Sequence, residues 1–170
     1  MTQAGAGMMA GGRGAAMSAD DATIRPGEEV AALPEARDAA LIFIGRIETP
    51  WALRSDCPRR GDPEAGPDCT LVLDPRWTAA LKGVEPGDRL QVLYWMDRAR
   101  RDLLTQSPRH DGRTMGTFAL RSPNRPNPIA SSMVRLVAVD GARLTVRGLD
   151  CVTGTPLLDI KPDACKGLAP

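Results

Sequence analysis

The chain has 170 residues and a mass of 18.2 kDa, enough for one domain with a real core and too little for multidomain machinery. With 42% hydrophobic and 25% charged residues and a mean hydropathy of −0.23, it reads as soluble and globular, which excludes a collagenous, membrane-spanning or wholly disordered chain. The net charge of +1 argues against a nucleic-acid partner until it is divided along the chain: residues 1–88 carry 9 basic and 14 acidic side chains, residues 89–147 carry 11 and 4, and residues 148–170 carry 2 and 3. All 11 basic residues of the middle block are arginine, the side chain suited to bidentate contact with phosphate or carboxylate.

Residues 1–38 are rich in Ala, Gly and small polar residues, lack apolar periodicity and read as a flexible tail. The domain proper is expected over 39–165, with a short tail at 166–170. Leu41-Ile42-Phe43-Ile44 leads into Gly45-Arg46-Ile47-Glu48 as a first strand, and Cys69-Thr70-Leu71-Val72-Leu73 is the second. A short helix follows, with Asp74 as N-cap, Pro75 in the first position, Trp77, Leu81 and Val84 on one face, and Gly83 as terminator. Glu85-Pro86-Gly87-Asp88 turns into a long buried strand over 90–96, and further strands are predicted over 115–120 and 132–139. Asp140-Gly141 joins 134–139 to 143–149 in a hairpin for which a type I′ turn is expected, and a last strand covers 156–160. Six or seven strands with no long helix between them predict a mainly β fold. The expected form is a small single-domain antiparallel β-barrel with one short helix and long loops, whose closure removes exposed edges.

Other counts narrow the chemistry. A single histidine, His110, rules out sites needing two His ligands, and it sits in a polar loop with no visible catalytic partner. Cys57, Cys69, Cys151 and Cys165 form no CxxC pair, so no metal site is expected. The start lacks the basic and apolar regions of a secretion signal, and no stretch approaches the roughly 20 apolar residues of a membrane helix. A cytoplasmic protein with reduced thiols and no membrane association follows.

The densest signal is Gly116-Thr117-Phe118-Ala119-Leu120-Arg121-Ser122-Pro123-Asn124-Arg125-Pro126-Asn127-Pro128-Ile129-Ala130-Ser131-Ser132. Three prolines within six residues remove amide donors and pre-shape the loop, between Arg121, Asn124, Arg125 and Asn127. Two readings fit: a rigid crossover whose Arg and Asn groups satisfy local carbonyls, or a preorganised loop for a polar or anionic ligand.

The run from Phe118 to Ile129 closely resembles the signature of the TsaA-like (TrmO) family, which reads approximately FATRSPFRPNPIGxS. Gly148-Leu149-Asp150-Cys151-Val152-Thr153-Gly154-Thr155-Pro156-Leu157-Leu158-Asp159-Ile160-Lys161-Pro162 is similar to that family's second motif, G-x-D-x-x-D-G-T-P-V-x-D-I-K-P. Weaker echoes at 44–50 and 81–85 extend the resemblance over roughly 41–162. It implies a β-barrel methyltransferase that binds S-adenosyl-L-methionine, works as a homodimer and methylates N6 of threonylcarbamoyladenosine in the tRNA anticodon loop. Carried over residue by residue, the implied cofactor site is Arg60, Gly61, Asp97, Arg98, Arg121, Ser132, Gly154, Thr155 and Pro156. Arg125, Asn127 and Lys161 are the implied substrate contacts, and Arg125 is suited to a carboxylate or an anticodon-loop phosphate. Asp159 is the candidate base for the weakly nucleophilic N6, or the group that fixes Lys161.

The chain also departs from the family. Asp97 stands where a histidine usually ends the central strand, Asn124 replaces an aromatic residue and Thr153 replaces an aspartate. A same-fold methyltransferase acting on another acceptor, or a non-catalytic binding module, are the competing functions.

Overall fold

In Cys69–Leu73 every second side chain is buried, and the same alternation runs through Arg89–Trp95 and Arg143–Arg147. Such period-two patterns force each strand to turn one face inward. The computed structural model describes residues 23–34, 38–108 and 113–164. Its strands are β1 (Gly45–Glu48), β2 (Cys69–Leu73), β3 (Arg89–Trp95), β4 (Thr105–Gln106), β5 (Met115–Gly116), β6 (Ile129–Asp140), β7 (Arg143–Arg147) and β8 (Thr155–Pro162). Six of them close into a barrel in the order β1-β2-β7-β6-β3-β8, with every neighbouring pair antiparallel. Ile47, Leu71, Leu90, Val92, Tyr94, Val134, Leu136, Leu144, Val146 and Leu157 fill the interior. Trp51, Trp77, Leu81 and Met96 pack around that core.

Closure relies on two irregularities. The β3/β8 register shifts between Leu93↔Asp159 and Tyr94↔Leu157, and the β6/β7 register shifts between Leu136↔Val146 and Ala138↔Thr145. Leu158 and Val137 are the extra residues, and such bulges bend a strand and increase its twist. The predicted hairpin is present, but Asp140 pairs with Arg143 and the loop is Gly141-Ala142. Among the described residues only glycines have positive φ, so Gly141 at +56° alone carries it, the pattern of a type II′ turn rather than the expected type I′.

Three other local expectations change. Leu41, Ile42 and Phe43 are 53%, 70% and 48% exposed and lie outside β1, because β2 ends at Leu73 and Pro75 leaves no ladder beyond it. The expected helix is a 3₁₀ segment, Pro75–Leu81, with the Asp74 carboxylate accepting from the Arg76 amide at 3.1 Å as foreseen. The strand predicted over 115–120 shrinks to β5, which pairs with β4, and Thr117–Ala119 forms a 3₁₀ turn.

Within the stretch expected to be tail, residues 23–34 lie against the 102–107 segment. Val30 bridges Leu103, the Ala31 amide donates to Asp102 O at 2.7 Å, and the Leu104 amide donates to Glu29 O at 2.8 Å. The Glu28 side chain is 1% exposed and pairs with Arg25 at 2.9 Å. Burial pushes its carboxyl up, but the amides of Arg25 and Ser107 and the Arg25 guanidinium outweigh burial and hold it below the usual range. A depressed pKa contributes stability in full above the unfolded value and loses it as pH falls through the folded one. Acidification below about pH 4 is therefore expected to release residues 23–34 ahead of the barrel. Faster hydrogen exchange at the Leu104 amide, with β3 still protected, is the measurable sign.

Candidate functional site

Three strand ends meet on one rim of the barrel. Trp95 pairs with Ile129, and the Met96 amide donates to Pro128 O at 2.9 Å, so Asp97 and Asn127 adjoin the paired ends of β3 and β6. On the other flank of β3, Tyr94 pairs with Leu157, which brings the Gly154-Thr155-Pro156 turn to the same rim. Asp97, Arg98, Asn127 and Gly154 are all exposed there, while Thr155 and Pro156 are buried. The Gly154 amide is anchored to Ile47 O at 2.7 Å, and its Cα faces open space, with no atom within 4 Å of where a Cβ would stand. A ligand can therefore reach this backbone closely.

The charge block dissolves on folding. Among the described residues, five of its arginines are ion-paired: Arg89 with Asp163, Arg100 with Asp102, Arg135 with Glu64, Arg143 with Glu48 and Arg147 with Asp68. Four of those carboxylates come from outside the block. Arg101 donates to Pro126 O at 2.7 Å and lies 5.5 Å over the Trp95 ring. Arg60, Arg98 and Arg121 are exposed and have no hydrogen-bond or ion-pair partner among the described residues. The Asp97 carboxylate is also exposed and unpartnered. The unpaired carboxylate of Asp97 and the unpaired guanidinium of its neighbour Arg98 complement a zwitterionic amino-acid group.

A second polar cluster lies between the barrel interior and the 148–154 loop. The Tyr94 hydroxyl donates to Asp150 Oδ1 at 2.6 Å and lies 2.9 Å from Ser132 Oγ, which itself donates to Asp150 Oδ1 at 3.4 Å. Burial first, and then the Asp150 charge, push the Tyr94 phenol up, so it stays protonated as a donor. Ser132 is thus committed to Asp150, away from Asp97. Gly61 joins this side: a Cβ on it would overlap the Gly148 carbonyl and stand 3.0 Å from the Leu149 carbonyl carbon. Eight of the nine expected cofactor residues therefore divide into a rim set, Asp97, Arg98 and Gly154 to Pro156, and a set around Asp150, namely Gly61 with its neighbour Arg60, and Ser132, while Arg121 stands exposed on the 120–128 loop with no contact to either.

Tyr94 and Asp150 are absent from the sequence-derived site. Asp150 stands in the second motif, and a lone tyrosine near the end of a buried strand was the available signal for its partner. Each needs a partner distant in sequence to be recognised.

Other expected site residues have structural partners. Arg125 Nη2 donates to the carbonyls of Leu120 at 2.8 Å and Thr117 at 3.4 Å, and Asn124 Oδ1 accepts from the Arg100 amide at 3.1 Å. These are the bonds of the rigid-crossover reading. Asp159 pairs with Lys161 at 2.7 Å, and both are about half exposed. Asp159 lies opposite Leu93, whereas Val92 and Tyr94 are the inward residues of β3. Exposed pairs of this kind are worth about 0–1 kcal/mol. A structural role predicts that Asp159→Asn leaves activity within about twofold, and a tenfold fall would give Asp159 a part in proton transfer.

Burial raises the thiols of Cys57, Cys69 and Cys151, the last two to about 11 and about 12, so they are poor nucleophiles. No described His, Cys, Asp and Glu side chains group to hold a metal, and no described helix is long and apolar enough to cross a membrane. His110 and Cys165 lie outside the described residues.

The family described as tRNA-methyltransferase O N-terminal domain matches residues 46–165, which include every barrel strand except Gly45 of β1. A protein of Rhizobium radiobacter named "Probable S-adenosyl-L-methionine-binding protein VirR" is 53% identical over 149 residues, covering 86% of this chain and 85% of that protein. An S-adenosyl-L-methionine-binding protein of Archaeoglobus fulgidus is 37% identical over 118 residues, covering 69% of this chain and 84% of its own length. The crystal structure of TrmO from Pseudomonas aeruginosa superposes with a TM-score of 0.59 at 31% identity, covering 79% of this chain. This chain spans only 64% of that one.

Proposed function

Because the chain belongs to the tRNA-methyltransferase O N-terminal domain family, we propose that it is an S-adenosyl-L-methionine-dependent methyltransferase acting on N6 of threonylcarbamoyladenosine in the tRNA anticodon loop. The observation that carries the reading is the match across the barrel together with its rim of unpaired charge. When bound, the cofactor supplies an electrophilic methyl group on a sulfonium. Asp97 would hold its ammonium, and Arg98 and Arg121 its carboxylate, all three being free of other partners. The Gly154 backbone offers an approach that a side chain would block. Asp150, held by Tyr94 and Ser132, places a carboxyl group beside the 148–154 loop, suited to a cationic group.

The protein's task in such a transfer is to hold donor and acceptor at attack distance, which the proline-stiffened 123–128 loop favours by needing little ordering. Arg125 remains the proposed contact for the substrate carboxylate, with Asn127 beside it and Lys161 further along β8. The reading includes a homodimer working in the cytoplasm.

Calorimetry with S-adenosyl-L-methionine, followed by mass spectrometry of tRNA nucleosides after incubation with enzyme and cofactor, tests it. Methylated threonylcarbamoyladenosine is the expected product. Cofactor binding with that nucleoside left unmethylated would move the assignment to another acceptor, and no cofactor binding would end both enzyme readings.

A further inference from the structure

Of the six aromatic residues in the chain, Trp51 and Trp77 pack on the core, Tyr94 is buried and Trp95 lies under Arg101. Phe43 is about half exposed. Phe118 is 86% exposed, more than any other large hydrophobic side chain described. An apolar ring turned so fully to solvent gains nothing for the fold.

The turn beneath Phe118 is rigid. Thr117 is 3% exposed, and its hydroxyl donates to Leu103 O at 2.7 Å and accepts from Gln106 Nε2 at 3.0 Å. The Thr117 amide donates to Leu104 O at 2.9 Å, the Leu120 amide closes onto Thr117 O at 3.3 Å, and Arg125 holds the Thr117 and Leu120 carbonyls. Leu104, bonded to this turn, is itself 50% exposed and adds an aliphatic ledge. Three residues on, Arg121 is exposed and unpaired. The same chain segment then runs to Asn127 on the rim.

We infer that Phe118 is a stacking platform for an unpaired nucleobase of the RNA substrate. The inference rests on the proposed action on tRNA and deepens it: the anticodon loop would be gripped through one base outside the reacting nucleotide. A preformed ring loses little entropy on stacking, and every base presents a π-face, so this contact favours single-stranded loops over duplex without reading sequence. The exposed Arg121, three residues along the same segment, gives it a charge that fits a polyanion better than a second apolar protein surface.

The experiment uses a fluorescein-labelled anticodon stem-loop RNA and a fully paired duplex of equal length. Phe118→Ala and Phe118→Leu are expected to weaken stem-loop binding about tenfold and to raise KM for tRNA, with cofactor affinity and melting temperature unchanged. Phe118→Trp is expected to retain affinity, with its indole emission quenched by the stem-loop but not by the duplex. Wild-type protein whose stem-loop binding does not depend on Phe118 overturns the stacking platform and leaves the methyltransferase reading standing. Stem-loop binding that depends on Phe118, without methylation of threonylcarbamoyladenosine, supports the platform and overturns that reading. A Phe118→Ala variant that loses self-association in sedimentation while keeping RNA affinity assigns the ring to a second copy and overturns the platform.

Discussion

A Gly148→Ala variant is expected to lose about 3 kcal/mol of stability, a large share of what a domain this size has. Gly148 has φ +112°, a conformation that costs an L-residue roughly 1–3 kcal/mol. The added methyl would also stand 2.7 Å from Met133 O and 3.2 Å from the Cα atoms of Pro63 and Val134, all backbone that cannot swing aside. Gly154→Ala isolates the first cost, because its φ is +85° but no atom lies within 4 Å of the new methyl. Urea denaturation should therefore rank Gly148→Ala well below Gly154→Ala, and equal losses would show that the contact with Met133 is relieved by a small shift. Gly61 rests on Gly148 O, so the 148 variant should also displace the loop carrying Arg60 and weaken cofactor binding along with stability.

Arg121→Ala is expected to do the opposite. Removing one partner of a charge-assisted hydrogen bond costs about 1.5–3 kcal/mol, so cofactor affinity should fall roughly 10- to 100-fold. Because Arg121 is exposed and has no partner among the described residues, the melting curve should barely move. Calorimetry on the variant decides it, and unchanged affinity would remove Arg121 from the cofactor site and leave it only to the nucleic acid.

The barrel was legible because its signals are local. Alternation in β2, β3 and β7, the Asp140-Gly141 pair and the Asp74-Pro75 cap each act within a few residues. β4 escaped notice because two residues carry no period, and residues 23–34 because hydrogen bonds such as Ala31 to Asp102 need no apolar pattern. The candidate site was legible in part. Its rim residues stand in ordered motifs, but whether an arginine is free is decided by distant partners: Glu64 claims Arg135 and Glu48 claims Arg143, whereas nothing among the described residues claims Arg121. Summing charge over residues 89–147 counted all of them alike.

The pairing of Gly45 with Leu157 joins the first strand of the barrel to its last. That contact has to be made across nearly the whole domain, so its loop-closure entropy is met late and folding should be slow for a chain of this size. Asp97 follows β3 and the Gly154 turn precedes β8, two strands that pair directly. A ligand held by both therefore binds only where β3 and β8 are paired, and stabilises that pairing of the barrel rather than one loop.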